Sequence, residues 1–223
     1  MRRTSLLIFL AIFAVAANGQ NAPKASDRAT QAKVATEAKR QQREDAKAAP
    51  ALSKQRALLK PIMDARMKKD YKREVVLIDK TGKAHPELSA SLAYERFAAM
   101  AEYDEAGAQK YAGRLAGTTF KNDPMQVNSL VRSMVEDGSP MKHPNATLAV
   151  KMAHQAYKVS KEDPMIGETL ALAYYRAKDR AMALKTQKRV LAKAAANKQF
   201  DPAMLVVMKS RLKMYQTAPA KTK

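Results

Sequence analysis

The side chains best suited to acid–base or metal chemistry near neutral pH are three histidines, His85, His143 and His154. They share none of the spacings that bring metal ligands together on one helix or in one turn. His85 and His143 each precede a proline in a predicted turn, and His154 falls within a predicted helix. The sequence also contains no Gly-x-Ser-x-Gly motif and no glycine-rich loop that could cradle a phosphate. We therefore predict that the protein is not an enzyme and has no catalytic residues, no metal site and no cofactor.

Cysteine is absent from the 223 residues of the sequence. Its absence excludes disulfides, thiolate catalysis, zinc sites built on thiolates and a lipid-modified cysteine. An exported chain of this composition must depend on its hydrophobic core alone for stability.

Positive charge is the strongest chemical feature of the sequence, with 41 Lys and Arg residues against 21 Asp and Glu residues. Basic residues concentrate in residues 176–223, where they could hold anionic lipid, cell-wall polymer or nucleic acid through salt-sensitive contacts. We expect no nucleic acid partner, because no interleaved aromatic residues and no known nucleic-acid-binding fold accompany the charge. A solvated basic face is the alternative interpretation. The candidate anion-contacting residues are Arg176, Lys178, Arg180, Lys185, Arg189 and Lys193.

Apolar residues beyond Pro50 recur at three- and four-residue steps, which predicts amphipathic helices. Asp-Pro pairs stand at positions 123, 163 and 201, where Asp would cap a helix and Pro would occupy its first turn. The repeated start signal indicates one structural unit used several times, and such hairpins must stack to bury their apolar faces. The predicted fold is all-α, with antiparallel helical hairpins stacked as a short superhelix over residues 51–216 and a C-terminal capping helix.

The first hairpin of the stack carries two further predictions. A helix from about Leu52 to Lys68 should be kinked or split by Pro61. A second helix, beginning near Tyr71, should end at the Thr81-Gly82 turn signal. The segment Val75–Ile78 also fits a strand, because a short run of β-branched and apolar residues suits both structures.

The fourth hairpin, which opens at Asp163-Pro164, has the most specific pattern. Large, small, aromatic, turn and small residues occur at the offsets of a tetratricopeptide hairpin. These residues are Leu170, Ala171, Tyr174, Asp179, Ala183, Gln187 and Val190. On the concave surface of the stack, the candidate partner-binding residues are Tyr174, Tyr175, Gln187 and Lys188. All four could equally be interior packing residues.

Residues 1–19 have the pattern of a secretory signal peptide. Arg2 and Arg3 form a positive segment, and the apolar run from Leu6 to Ala17 is too short to span a bilayer. An uncleaved membrane anchor is the alternative. The expected location is therefore outside the cytoplasm, either periplasmic or secreted, with no transmembrane segment once the signal is removed.

Two basic segments flank the predicted helical domain. Residues 20–50 are rich in Ala, Lys and Gln and contain too few large apolar side chains to offset the entropy of ordering. We predict a mobile segment or a frayed, exposed helix there. Residues 217–223 form a basic tail.

The chain resembles the helical-repeat region that follows a thioredoxin-like domain in some exported bacterial redox proteins. The resemblance covers about Pro86 to Tyr215 and implies a tetratricopeptide-like superhelix outside the cytoplasm, linked to a redox system. It is carried by Lys121-Asn122-Asp123-Pro124 with Asn128, by Leu148-Ala149, and by Glu162-Asp163-Pro164 with Thr169-Leu170-Ala171, Ala183 and Gln187. No Cys-x-x-Cys is present, so no redox residue can be carried over.

These observations together predict an exported, non-catalytic, tetratricopeptide-like scaffold that binds a protein or peptide partner. One alternative is a basic adhesion protein that binds anionic envelope polymer or lipid. A second alternative is an accessory subunit of an extracytoplasmic thioredoxin-like redox system, which would co-purify with a thiol protein.

Overall fold

The computed structural model describes residues 25–217, and helices are its only regular secondary structure. No strand occurs in the described residues, so the all-α prediction is confirmed. The α-helices are α1 Ala25–Met67, α2 Tyr71–Ala84, α3 Ser89–Ala101, α4 Glu105–Gly117, α5 Pro124–Val135, α6 Ala146–Val159, α7 Pro164–Arg176, α8 Arg180–Ala196 and α9 Pro202–Thr217, with a short 3₁₀ helix at Pro86–Leu88. The predicted signal peptide, residues 1–19, and residues 218–223 of the predicted basic tail lie outside the described residues.

The chain divides into two compact units, Met1–Arg56 and Ala57–Lys223. In the first unit, the described residues are helical from Ala25 onward and belong to α1. Residues 36–42 of this helix are exposed. The domain boundary predicted near Pro50 stays a prediction.

The second unit is a stack of helices in which neighbours along the chain pack together. Helix α3 packs against α2 and α4, α6 packs against α5 and α7, and α8 packs against α7 and α9. Helix α7 also contacts α5 and is the central helix of this group. Its residues from Ile166 to Ala173 are all buried, because other helices cover it on several sides.

The three Asp-Pro pairs begin helices as predicted. The Asp123 carboxylate accepts hydrogen bonds from the backbone N–H groups of residues 125 and 126, each at 3.1 Å, at the start of α5. Asp163 accepts from the N–H of Met165 at 2.8 Å, and Asp201 accepts from the N–H of Ala203 at 2.8 Å. Each carboxylate therefore satisfies backbone donors that the first helical turn leaves without an intrahelical partner.

Gly167 allows three helices to approach closely. A Cβ atom at this position of α7 would lie 2.4 Å from the Val190 Cγ1 atom of α8 and 2.6 Å from the Tyr157 Cε2 atom of α6. These distances are far shorter than the roughly 3.5–4.0 Å of an ordinary carbon–carbon contact. The absence of a side chain at Gly167 therefore sets how near α6 and α8 can lie to α7.

Two predictions about the first hairpin are corrected by the structure. Helix α1 continues through Pro61 to Met67, so the predicted split was wrong, and the alternative of a kink at Pro61 stays a prediction. Helix α2 continues through Thr81 and Gly82 and ends at Ala84, before the His85-Pro86 sequence. The predicted stop at Thr81-Gly82 was wrong because the packing of Val75 and Ile78 outweighs the cost of glycine in a helix, about 1 kcal/mol. The strand alternative for Val75–Ile78 was wrong, because these residues lie within helix α2.

Helix α9 is held against the stack by a buried charge cluster. The Arg211 guanidinium of α9 pairs with the Glu168 carboxylate of α7 and, at 2.9 Å, with the Glu136 carboxylate that follows α5. The pKa of Glu168 is raised above its ordinary value, because the effect of burial exceeds the opposing effect of the Arg211 charge. This cluster, together with the fully buried Met208 and Tyr215 side chains, fixes α9 at the end of the stack.

Candidate functional site

A groove of about 180 Å³ opens beside α7, between side chains of α6 and α8. Small-molecule pockets usually measure about 300–1,000 Å³, so this groove suits one or two side chains of a larger partner better than a whole cofactor. The residues that line it are His154 of α6, Leu170 and Tyr174 of α7, and Met182, Lys185, Thr186 and Arg189 of α8.

The floor of the groove is mostly apolar and its rim is cationic. Leu170 and Thr186 are buried, and Tyr174 and Met182 are half-buried. Lys185 and Arg189 are exposed and lie one helical turn apart on α8, with the exposed His154 contributed by α6. The arrangement can receive an apolar side chain on the floor and an anionic group at the rim.

The periodicity of α8 explains why the rim is cationic. Its buried face, which packs on its neighbours, consists of Ala183, Thr186, Gln187, Val190 and Ala194. All five basic residues of the helix lie at the remaining positions, and the helix contains no acidic residue. The same helix therefore supplies both the packing that builds the groove and the charge that surrounds it.

Arg189 is partly engaged by neighbouring groups. Its guanidinium carbon lies 5.2 Å from the centre of the Tyr157 ring, and its Nη1 atom lies 3.8 Å from the Glu162 Oε1 atom. A cation over an aromatic face is a favourable arrangement, and it fixes the guanidinium near the rim. Burial raises the pKa of Tyr157, which keeps its hydroxyl neutral beside Arg189.

Lys185 and Lys188 differ from Arg189 because neither ammonium group makes a hydrogen bond or ion pair to any described residue. Both side chains are exposed. A lysine that neutralises no internal carboxylate keeps its charge available for an anion from outside the protein.

The structure separates the predicted partner-binding residues into two groups. Tyr174 lines the groove, and Lys188 is exposed on α8 without lining it. Tyr175 stacks on Tyr215, with the ring centres 4.8 Å apart. Gln187 is 0% exposed, and its Nε2 atom donates a hydrogen bond to the Met208 carbonyl oxygen at 3.0 Å. Gln187 is thus an interior packing residue that joins α8 to α9, and we leave it out of the site.

The predicted anion-contacting residues also have different roles. Lys185 and Arg189 line the groove, and Lys178 is exposed in the turn between α7 and α8. Arg176 donates to the Val135 carbonyl oxygen at 2.8 Å, and Arg180 donates to the Tyr215 carbonyl oxygen at 2.6 Å. These two arginines are committed to internal contacts between helices, so we leave both out of the site.

Lys193 has a comparable internal role at the other end of α8. Its Nζ atom donates to the Lys161 carbonyl oxygen at 3.2 Å and to the Glu162 carbonyl oxygen at 2.8 Å. The ammonium group therefore satisfies carbonyl oxygens of the turn between α6 and α7, and Lys193 does not line the groove.

Sequence reasoning missed four lining residues, His154, Leu170, Met182 and Thr186. His154 belongs to the preceding hairpin, and the packing of α6 on α7 brings it to the groove. The sequence carried a partial signal for the other three, since Leu170 belongs to the predicted hairpin pattern and Met182 and Thr186 lie within one helical turn of Lys185 on α8.

A second cavity, of about 240 Å³, lies at the junction of α1 and α2 within the second unit. Its charged groups largely serve each other, since Lys60 pairs with Asp64 at 2.7 Å and Asp70 caps α2 by accepting from the Arg73 N–H. It is lined by Ala57, Lys60, Pro61, Asp64, Ala65, Lys68, Asp70 and Arg73. We regard it as a weaker candidate than the groove beside α7.

Within residues 25–217, no group of histidine, aspartate and glutamate side chains is arranged to hold a metal ion. No helix in this part of the chain combines the length and apolar character needed to cross a membrane. Comparison with known proteins found no matching family model, no matching curated protein and no matching solved structure.

Proposed function

We propose that the protein is an exported, non-catalytic helical scaffold that binds a segment of a protein partner in the groove between α6 and α8. The observation that carries this proposal is the exposed Lys185 ammonium group, which has no partner among the described residues and stands beside an apolar floor. An apolar pocket with a small number of polar groups at its edge is the usual composition of a recognition site. Export is supported by the sequence pattern of residues 1–19.

The relation to tetratricopeptide scaffolds remains part of the proposal. It is supported by paired helices that begin at repeated Asp-Pro signals and by fully buried small residues, Ala171 and Ala183, where α7 meets α8. Stacked hairpins of this kind commonly present an extended binding surface.

Affinity capture with matched variants tests the proposal. The tagged protein without residues 1–19 is incubated with an envelope extract of the source cells, beside the variants Met182→Glu and Lys121→Glu. Met182 lines the groove, whereas Lys121 is exposed in the turn before α5. We expect a specific protein to be retained by the parent and by Lys121→Glu and to be lost from Met182→Glu. Equal retention by both variants would contradict binding in the groove.

A second candidate function, adhesion to anionic envelope material, is favoured by the exposed face of α9. This face carries Lys209 and Lys213 next to Val206, which is 67% exposed. Lysine and apolar side chains on one exposed face suit an anionic lipid or polymer surface. Retention on anionic vesicles that disappears at moderate salt, and is lost when Lys209→Glu and Lys213→Glu are combined, would support this function.

A further inference from the structure

We infer that the groove beside α7 selects an extended acidic peptide segment that carries two carboxylates and one large apolar side chain on the same side. This inference rests on the proposed function and specifies the chemistry of the partner. It depends on the charge, size and spacing of the groups that line the groove.

Charge at the rim identifies the ligand as an anion. Lys185 and Arg189 line the groove, and Lys188 stands on the same helix. The nearest acidic group at this rim is Glu162, which lies 3.8 Å from Arg189 and is the only carboxylate paired with any of these three cations in the described residues. The rim therefore keeps an excess of positive charge that a complementary anionic segment would neutralise.

Spacing at the rim indicates more than one carboxylate. Lys185 and Arg189 are four residues apart on a helix, which corresponds to a rise of about 6 Å. In an extended peptide, residues i and i+2 are separated by about 6.6 Å and point to the same side. Two carboxylates with one residue between them can therefore face the two cations at the same time.

The floor supplies the remaining part of the specificity. The Leu170, Tyr174 and Met182 side chains present apolar surface, and the volume of about 180 Å³ accommodates a large side chain but not a folded element. Methionine adapts its shape to different apolar partners, which suits a site that receives a flexible segment. In an extended peptide the residue between the two carboxylates points away from the groove, so the apolar residue that reaches this floor is the one on the same side, two residues from the nearer carboxylate.

The competing occupants fit less well. A nucleic acid or polysaccharide chain supplies no large aliphatic side chain for the floor. A second copy of this chain that docked symmetrically through its own α8 would bring like charges together, because the exposed surface of α8 is basic and has no acidic residue. The inference therefore commits to an acidic peptide segment of a different protein.

Titration with synthetic peptides tests the inference. The probe has the sequence Gly-Leu-Ser-Glu-Ser-Glu-Gly with a fluorescent label, and two control peptides replace both glutamates with glutamine or the leucine with serine. The protein used is the intact chain. We expect the probe to bind it, and both control peptides to bind it more weakly. Binding of the glutamine peptide as tightly as the probe would overturn the inference.

Matched protein variants locate the binding. Lys185→Gln should weaken probe binding by about two- to fivefold, the effect of one exposed charge pair. Lys121→Gln removes an exposed lysine away from the groove and should leave binding unchanged. Because Lys185 is exposed, its replacement should leave the helical circular dichroism signal intact. An equal loss for both variants would show attraction to net charge alone and would overturn the inference.

Failure of this inference can be distinguished from failure of the proposed function. If a captured partner is lost from Met182→Glu but no acidic peptide binds, the groove binds a segment of other chemistry and only the inference is overturned. Vesicles containing phosphatidylglycerol provide a further comparison. If they displace the probe, and Lys185→Gln weakens vesicle binding as much as probe binding, an anionic surface is the ligand and the inference is also overturned.

Discussion

Replacing Gly167 with alanine should destabilise the stack, although alanine is the better helix former. The added Cβ atom would lie 2.4 Å from Val190 Cγ1 and 2.6 Å from the Tyr157 ring, and neither is the flexible end of a long side chain. Overpacking of this kind costs about 1–3 kcal/mol in free energy of unfolding. Because both distances are very short, we expect the cost of the added Cβ atom to lie near the upper value. The gain in helix propensity returns about 1 kcal/mol. The net loss in free energy of unfolding should therefore be about 2 kcal/mol.

Gly117→Ala is the matched control, because a Cβ atom at Gly117 would meet nothing within 4 Å. Its effect should lie between neutral and about 1 kcal/mol of stabilisation. The assay is thermal and urea unfolding followed by circular dichroism. The net loss expected for Gly167→Ala corresponds to a decrease in Tm of about 4–8 °C for a domain of this size.

A double-mutant cycle with Val190→Ala identifies the contact responsible. Removing Val190 Cγ1 relieves one of the two clashes, so Gly167→Ala should cost less in the Val190→Ala background than in the wild type. If Gly167→Ala is as stable as Gly117→Ala, the three helices do not approach as described and the reasoning is refuted.

Three further predictions concern the buried charges and the helix caps. Arg211→Ala should lower the free energy of unfolding by about 3 kcal/mol, because Glu168 would stay buried without its partner; we choose the lower end of the usual range since Arg211 itself is 19% exposed. Urea unfolding measures this, and a loss below about 1 kcal/mol would contradict a stabilising role for the pair. Burial raises the pKa of Glu168 in the folded state, so the folded protein holds this proton to higher pH than the unfolded chain does. The contribution of Glu168 to stability is therefore greatest below the unfolded pKa of about 4.3 and falls as pH rises through the raised folded value. Relative to Glu168→Gln, the parent should lose stability as the pH rises above the unfolded pKa of about 4.3, and a relative gain would contradict the assigned direction. Asp163→Ala removes the acceptor for the Met165 and Ile166 N–H groups and should cost about 1 kcal/mol, whereas Asp163→Asn keeps an acceptor and should cost less than half as much. Equal costs for the two cap variants would argue against a capping role.

Helix positions could be predicted from the sequence wherever a local signal existed. Asp123, Asp163 and Asp201 each precede proline, and the capping hydrogen bond involves only neighbouring residues. The end of α2 could not be predicted in this way, because Gly82 is a weak stop signal when the preceding turn is anchored by buried side chains.

The candidate site could be predicted only in part. Lys185 and Arg189 were identified from charge density, but the same density also included Arg176 and Arg180, whose guanidinium groups bind carbonyl oxygens of other helices. A basic residue that serves an internal contact has the same sequence signal as one that faces solvent. Gln187 illustrates the same limit, since the sequence left partner binding and interior packing open and the hydrogen bond to the Met208 carbonyl oxygen of α9 decides for packing.

Site-specific photo-crosslinking tests the central claim most directly. A photoreactive amino acid replaces Met182 in the groove or, as the control, Lys121 outside it, and the full-length protein is expressed in its source cells. We predict that one protein is crosslinked from position 182, that none is crosslinked from position 121, and that an excess of the acidic probe peptide reduces the crosslink. Crosslinking of the same protein with equal yield from both positions, or of none from position 182, would contradict binding in the groove between α6 and α8.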